Sequence, residues 1–155
     1  MAVARETAKR ATCLRRSVGC VLVDRRGHVL STGYNGVAAG LPHCNEPRFD
    51  RWPDGLIISG PHFPDACPGH ASPSGTNLDA CQAVHAEQNA LLQCRDPWEI
   101  DTCYVTASPC VTCTKLLLNT SCSRIIFAEE YPQPAAKQLW LGAKRPVWEQ
   151  YKEGT

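Results

Sequence analysis

The chain has 155 residues, 43% of them hydrophobic and 20% charged, with a formal net charge of +1. That size and balance suit one domain, residues 1–155, with one core, and nothing in the charge marks a general nucleic-acid binder. The apolar runs are too short to cross a bilayer and residues 1–12 lack a secretory core, so a cytoplasmic protein with no nucleic-acid and no membrane partner is expected.

Met1 to Thr12 sets alanines among Arg, Glu and Lys and reads as a helix. Ser17 to Asp24 is β-branched and apolar, a buried strand. Arg25-Arg26-Gly27 turns the chain, and His28 to Tyr34 returns as a second strand. Asn35-Gly36 ends that strand with a pair suited to positive φ. Val37 to Asp79 shows neither helical nor strand periodicity and is rich in Pro, Gly and Asp. A loop of that length in a compact domain needs something to hold it. Asp79 to Cys94 reads as a helix capped by Asp79 and stopped by Asp96-Pro97. A strand over Thr102 to Thr106 follows, then a helix over Cys110 to Asn119 with Pro109 at its mouth. Arg124 to Ala128 is a strand of the fully buried kind, Pro134 to Leu141 a third crossover helix and Arg145 to Trp148 a last strand. Strands alternating with helices predict an α/β fold whose sheet has parallel portions and right-handed crossovers.

The chemistry sits in two short stretches, His85-Ala86-Glu87 and Pro109-Cys110-Val111-Thr112-Cys113. Ten cysteines would suit a disulfide framework in a small secreted chain. In a chain with this many core-type segments, Cys clustered with His predicts metal instead. His85, Cys110 and Cys113 offer three ligands for a catalytic zinc whose fourth position stays open for water. Both stretches fall at helix starts, where the partial positive charge lowers a thiol pKa. Glu87 lies two residues from His85 and is free to move protons between that water and a substrate. Alone, Cys-x-x-Cys is more often a redox pair or half of a structural zinc site, and His-x-Glu a solvated helix surface. Joined in this order they match the pattern of zinc nucleobase deaminases.

From Thr12 to Tyr131 the sequence resembles the deoxycytidylate (dCMP) deaminase family within the cytidine deaminase superfamily. The matching pieces are Ser17-Val18-Gly19-Cys20, Gly33-Tyr34-Asn35-Gly36, Leu41-Pro42-His43-Cys44, the run from Val84 to Ala90, and Ser108-Pro109-Cys110 with Cys113. The resemblance implies a three-layer cytidine-deaminase-like fold, a mixed five-stranded sheet flanked by helices. It implies conversion of dCMP to dUMP and ammonia, feeding thymidylate synthesis. A homo-oligomer, a hexamer above all, is implied with it, as is activation by dCTP and inhibition by dTTP, with magnesium accompanying a regulatory triphosphate. It makes Asn35 a substrate contact and places Arg15 and Tyr131 at the 5′-phosphate; beside it, the backbone after Ser108-Pro109 is a candidate acceptor for the substrate amine, and Ala86 and Ser108 are candidate substrate-binding residues. Without the resemblance, Arg15 and Arg16 read equally as a solvated helix end. Gly33, Tyr34, Gly36 and Asn89 are the candidate regulatory positions. Two departures bear on regulation: Val37-Ala38-Ala39-Gly40 stands where relatives often carry Pro, and the stretch from Cys44 to Cys81 is longer than in many of them.

Some family members hold a second, structural zinc, and Cys13, Cys44, His70 and Cys81 match its ligand positions, with Cys67 a rival to His70. A closed four-ligand site of that kind would also hold the long loop. Two other readings compete with dCMP deamination: a deaminase of another cytosine nucleotide, such as dCTP or a modified dCMP, and a zinc-stapled binding module without catalysis. An intact Glu87 counts against the last, since the ligand set is complete without it.

Overall fold

The computed structural model describes residues 1–41, 43–44, 72–73, 76 and 81–154. Its centre is a five-stranded sheet of β1 (Gly19–Val23), β2 (Val29–Tyr34), β5 (Thr102–Ala107), β6 (Arg124–Glu129) and β7 (Val147–Gln150). The order is β2-β1-β5-β6-β7. β1 is antiparallel to both β2 and β5, while β5, β6 and β7 run parallel. The sheet is therefore mixed, as the family resemblance implies, and contains the parallel portion that the alternation of strands and helices predicts. A two-stranded ladder of β3 (Gly36–Val37) and β4 (Ala83–Val84) stands apart from it.

Period-2 alternation sorts the strand residues onto two faces. Cys20, Leu22, Cys103, Val105, Ile125, Phe127 and Trp148 face the main core. Three helices close that face: α2 (Ala86–Gln93), α3 (Val111–Leu118) and α4 (Pro134–Gly142). They contribute Ala86 and Ala90, Leu117, and Ala136 and Trp140. On the opposite face Val21 and Val23 meet Ala4 of α1 (Ala2–Ala8), with Met1 and Tyr104 packed alongside. That gives the three layers. Cys20, Cys103 and Cys122 are fully buried and pack as small apolar groups. None of the nine described cysteines is in a disulfide.

Two glycines set the distance between layers. A Cβ on Gly19 would stand 2.1 Å from the Ala4 carbonyl oxygen, and one on Gly33 would stand 2.2 Å from that of Ala86. Only a bare backbone allows α1 and α2 to lie this close to the sheet. Ser31 Oγ donates to the Ala90 carbonyl at 2.8 Å, and Asn89 Nδ2 to the Tyr34 carbonyl at 2.7 Å. These bonds lock α2 to β2.

The structure corrects several boundaries. The helix expected over Asp79 to Cys94 begins only at Ala86, because Ala83 and Val84 are extended and paired with Val37 and Gly36. Cys81 therefore precedes the helix instead of opening it, and Asp79 lies outside the described residues. The first helix stops at Ala8. The chain then turns so that the Thr12 N–H donates to the Asn35 carbonyl at 3.2 Å, which carries residues 13–16 towards the same end of the sheet as Asn35. The other elements fall within two residues of expectation. No helix among the described residues is long and apolar enough to cross a membrane.

Candidate metal centre and active site

His85 and Cys110 occupy equivalent positions, each the N-cap of a helix with extended backbone, at φ −72° in both cases. A capping residue has left the helix but still aims its side chain across the helix mouth. Gln88 fixes the first, its Oε1 accepting the His85 N–H at 2.8 Å. In the second, the Cys113 N–H donates to Cys110 Sγ at 3.5 Å. Cys113, one turn on, is fully buried.

The two helix mouths converge. His85 Nδ1 lies 3.5 Å from Cys110 Sγ and 3.4 Å from Cys113 Sγ. All three donor atoms fall within 4.8 Å of one another, the one such cluster of three or more among the described residues. Tetrahedral zinc with ordinary Zn–N and Zn–S bonds requires N···S separations of about 3.6 Å. The residues fit that ion, by distance and by donor type, and leave one coordination position without a protein ligand. Among the described residues, His85, Cys110 and Cys113 form one zinc site.

Electrostatics agree. The Cys110 thiol is lowered to about 4, first by the hydrogen bond from Cys113 and then by His85, against the opposing effect of burial. Its partner Cys113 is raised, because that bond and burial both favour the protonated thiol. His85 is raised chiefly by its bond to Cys110. Without metal the cluster thus favours a thiolate on Cys110 beside a His85 whose protonated form is favoured. Zinc uptake must expel the Cys113 proton and any proton carried by His85, so its affinity falls as the pH falls. We expect a loss of roughly ten- to a hundredfold per pH unit, corresponding to one or two protons released. Competition with a chelator at pH 6 and pH 8 measures it, and an affinity independent of pH would exclude this ligand set.

Glu87, in the first turn of α2, is only 4% exposed. It receives a hydrogen bond from the Cys113 thiol, and burial pushes its carboxyl up to about 7. A carboxyl buried beside a metal cluster without being one of its ligands is well placed for proton transfer.

A pocket opens over the cluster. His85, Glu87 and Cys110 lie in its wall with Ala86 and Ser108, and Arg15, Arg16, Asn35 and Tyr131 also line it. Every substrate-contact residue expected from sequence is therefore on one cavity. Their hydrogen bonds add detail that the sequence did not carry. Asn35 Oδ1 accepts the Val18 N–H and its Nδ2 donates to the Arg16 carbonyl, both at 2.7 Å, so this buried amide braces the 16–18 backbone. Ser108 Oγ accepts the Tyr131 N–H at 2.8 Å, and the Ser108 N–H donates to the Glu129 carbonyl at 2.8 Å. Arg15 donates through Nη2 to the Pro73 and Thr76 carbonyls. Arg16 sets its guanidinium 5.9 Å from the centre of the Tyr131 ring and is ion-paired with Glu129. Sequence reasoning grouped Arg16 with Arg15 and gave Glu129 no role. Outside a helix neighbouring side chains diverge, so the Arg15-Arg16 pair does not say which points where.

The candidate regulatory positions all have duties within the fold. Gly33 admits α2, Gly36 faces the Thr12 hydroxyl, and Asn89 holds the Tyr34 carbonyl. Of the second metal's expected ligands, Cys13 and Cys81 are in contact. Cys13 is lowered to about 5, first by its hydrogen bond from Cys81 and then by the Arg15 and Arg16 N–H groups. Cys44 is buried. His70 and its rival Cys67 lie outside the described residues.

Residues 1–129 match the family described as the cytidine and deoxycytidylate deaminase zinc-binding region. The chain is 38% identical over 133 residues to the deoxycytidylate deaminase of Mycobacterium phage D29, across 84% of this chain and 91% of that one. It is 33% identical over 133 residues to the deoxycytidylate deaminase of Saccharomyces cerevisiae, across 84% of this chain and 36% of that one. The chain thus spans little more than a third of this fungal relative's length. Among solved structures it superposes on the dCMP deaminase of cyanophage S-TIM5, in complex with dCMP and dUMP, with a TM-score of 0.65. The identity is 22%, with 96% of this chain and 91% of that chain covered, and the likeness is one of fold.

Proposed function

Given that the chain belongs to the dCMP deaminase family within the cytidine and deoxycytidylate deaminase zinc-binding superfamily, we propose that it hydrolyses dCMP to dUMP and ammonia. The observation that carries the proposal is Glu87, buried and hydrogen-bonded at the edge of the His85–Cys110–Cys113 cluster yet outside its ligand set. Zinc bound there supplies an open position at which a water becomes acidic near neutral pH. Glu87 takes that water's proton on its carboxylate and delivers it to N3 of the cytosine ring. The water oxygen bonds to C4, and Glu87 passes that oxygen's remaining proton to the exocyclic nitrogen, whose bond to C4 breaks as ammonia departs. Burial suits it to the task, because a carboxyl whose pKa lies near 7 both accepts and returns protons at working pH.

The remaining residues orient the nucleotide. Ala86 and Ser108 flank the base. Asn35 keeps one lone pair and one N–H beyond its two backbone bonds, and these meet the deoxyribose. Arg15, Arg16 and Tyr131 receive the 5′-phosphate, for which guanidinium is the natural partner. Oligomerisation, to a hexamer above all, and control by dCTP and dTTP with magnesium enter the proposal on family likeness alone, as do effector roles for Gly33, Tyr34, Gly36 and Asn89. A second zinc, held by Cys13, Cys44, Cys81 and either His70 or Cys67, is supported by the Cys13–Cys81 contact and the low pKa of Cys13. Metal analysis of freshly purified protein should find two zinc ions per chain, and a single ion would remove this second site.

The direct test is steady-state turnover of dCMP, CMP, dCTP and deoxycytidine by the purified chain, followed by ultraviolet absorbance. We expect dCMP to be preferred over deoxycytidine by at least about tenfold in kcat/KM, since a charge-assisted phosphate contact contributes on the order of 1.5–3 kcal/mol. A zinc-loaded chain without turnover on any of the four would overturn the proposal.

A further inference from the structure

The pocket's rim carries one charge pair that the reaction itself does not need. Arg16 lines the pocket, and Glu129 does not. The two side chains are nevertheless ion-paired, with 29% of Arg16 and 69% of Glu129 exposed. Glu129 is therefore the more exposed partner of a residue that lines the pocket. Arg16 is held at three points. Asn35 braces its backbone, the Tyr131 ring lies beneath its charge, and Glu129 takes one Nη2 donor. Tyr131 is in turn anchored through Ser108. Glu129 closes β6, and the Ser108 N–H holds its carbonyl, so the acidic side chain springs from a fixed backbone position.

We propose that Glu129 limits the number of phosphates the site accepts. This rests on the proposed function, in which a nucleotide's 5′-phosphate meets Arg15, Arg16 and Tyr131. Arg16 has donors to spare: only Nη2 is engaged by Glu129, so a single phosphate can share the guanidinium with the carboxylate. A second phosphate must extend outward from the first, towards solvent, into the space Glu129 fills with negative charge. The terminal phosphate of a di- or triphosphate then meets like charge, while the guanidinium behind it is already neutralised. The site is thereby matched to monophosphates by exclusion as well as by attraction. The choice among deoxycytidine nucleotides, which the catalytic motifs leave open, falls to a residue outside them.

The test compares the zinc-loaded wild type with Glu129→Gln and, as a control, Glu130→Gln, which removes the same charge one residue away. The readouts are kcat/KM for deoxycytidine, dCMP and dCDP, and equilibrium binding of dUMP and dUDP by calorimetry at low and high salt. Glu129→Gln should raise the dCDP-to-dCMP ratio about fivefold at low ionic strength, the size expected for one added charge a few ångströms from a carboxylate in water. The change should lie in KM with kcat steady, appear equally in the dUDP-to-dUMP binding ratio, and fade as salt is added. Glu129→Asp should restore most of the wild-type ratio. Equal shifts for mono- and diphosphate, or the same shift in Glu130→Gln, would overturn the inference. Absence of turnover with the binding ratio shifted as stated would refute the proposed reaction and uphold the charge limit. Failure of both dUMP and dUDP to bind would overturn both.

Discussion

Glu87→Gln is expected to keep its zinc and its fold and to lose turnover by about a thousandfold or more, near the upper end for a single proton-transfer group. Gln has nearly the same shape, so the buried site at the start of α2 stays filled. An amide cannot accept and return a proton near neutral pH, and among the described residues no other carboxylate lines the pocket. Metal content should be unchanged, because His85, Cys110 and Cys113 hold the ion without Glu87. A second readout separates chemistry from folding. Burial raises the Glu87 carboxyl from 4.5 to about 7. Between those values the metal-free folded chain binds a proton that the unfolded chain has released, so this residue's contribution to stability declines as the pH rises through that window. Metal-free Glu87→Gln should accordingly unfold at the same temperature as the wild type at pH 4 and at a higher one at pH 8. Turnover within tenfold of wild type would take Glu87 out of the proton path.

Gly33→Ala should destabilise the protein by roughly 3 kcal/mol or more, at the costly end of overpacking. The added carbon would stand 2.2 Å from the Ala86 oxygen and 2.3 Å from the Ala90 nitrogen, both backbone atoms of a buried helix face. No side chain can rotate aside, so α2 as a whole must retreat. Its first turn carries His85 and Glu87, and the retreat draws them away from Cys110 and Cys113. Zinc affinity should therefore fall together with the unfolding temperature, although Gly33 touches no metal ligand. Thermal unfolding and chelator competition measure the two. A variant with wild-type values in both would mean that the β2–α2 contact has slack the geometry does not show.

Much of this was legible in the sequence, and the reasons differ from part to part. The metal ligands were plain because zinc imposes residue types and spacing that few other duties share. The sheet was legible through its buried β-branched runs and the capping signals between them. The start of α2 was not. Ala83 and Val84 continue a helical apolar pattern, and only the partner strand at Gly36–Val37, far off in sequence, holds them extended. Arg15 and Arg16 were indistinguishable for a similar reason: the direction of each depends on Asn35, which grips the backbone between Arg16 and Val18 from nearly twenty residues away. The ion pair of Arg16 with Glu129 spans more than a hundred residues and leaves no local trace.

That small ladder has a consequence for how the spacing along the chain is set. By pairing Gly36 with Val84 and Val37 with Ala83, it clasps the two ends of residues 38–82 together at their base. Closing the chain between these paired ends costs entropy that grows by only about 0.6 kcal/mol per doubling of its length. The interval from His85 to Cys113 lies wholly outside the clasp and is set by α2, β5 and α3. The spacing that gathers the zinc ligands is thus set apart from the length of chain that the clasp closes.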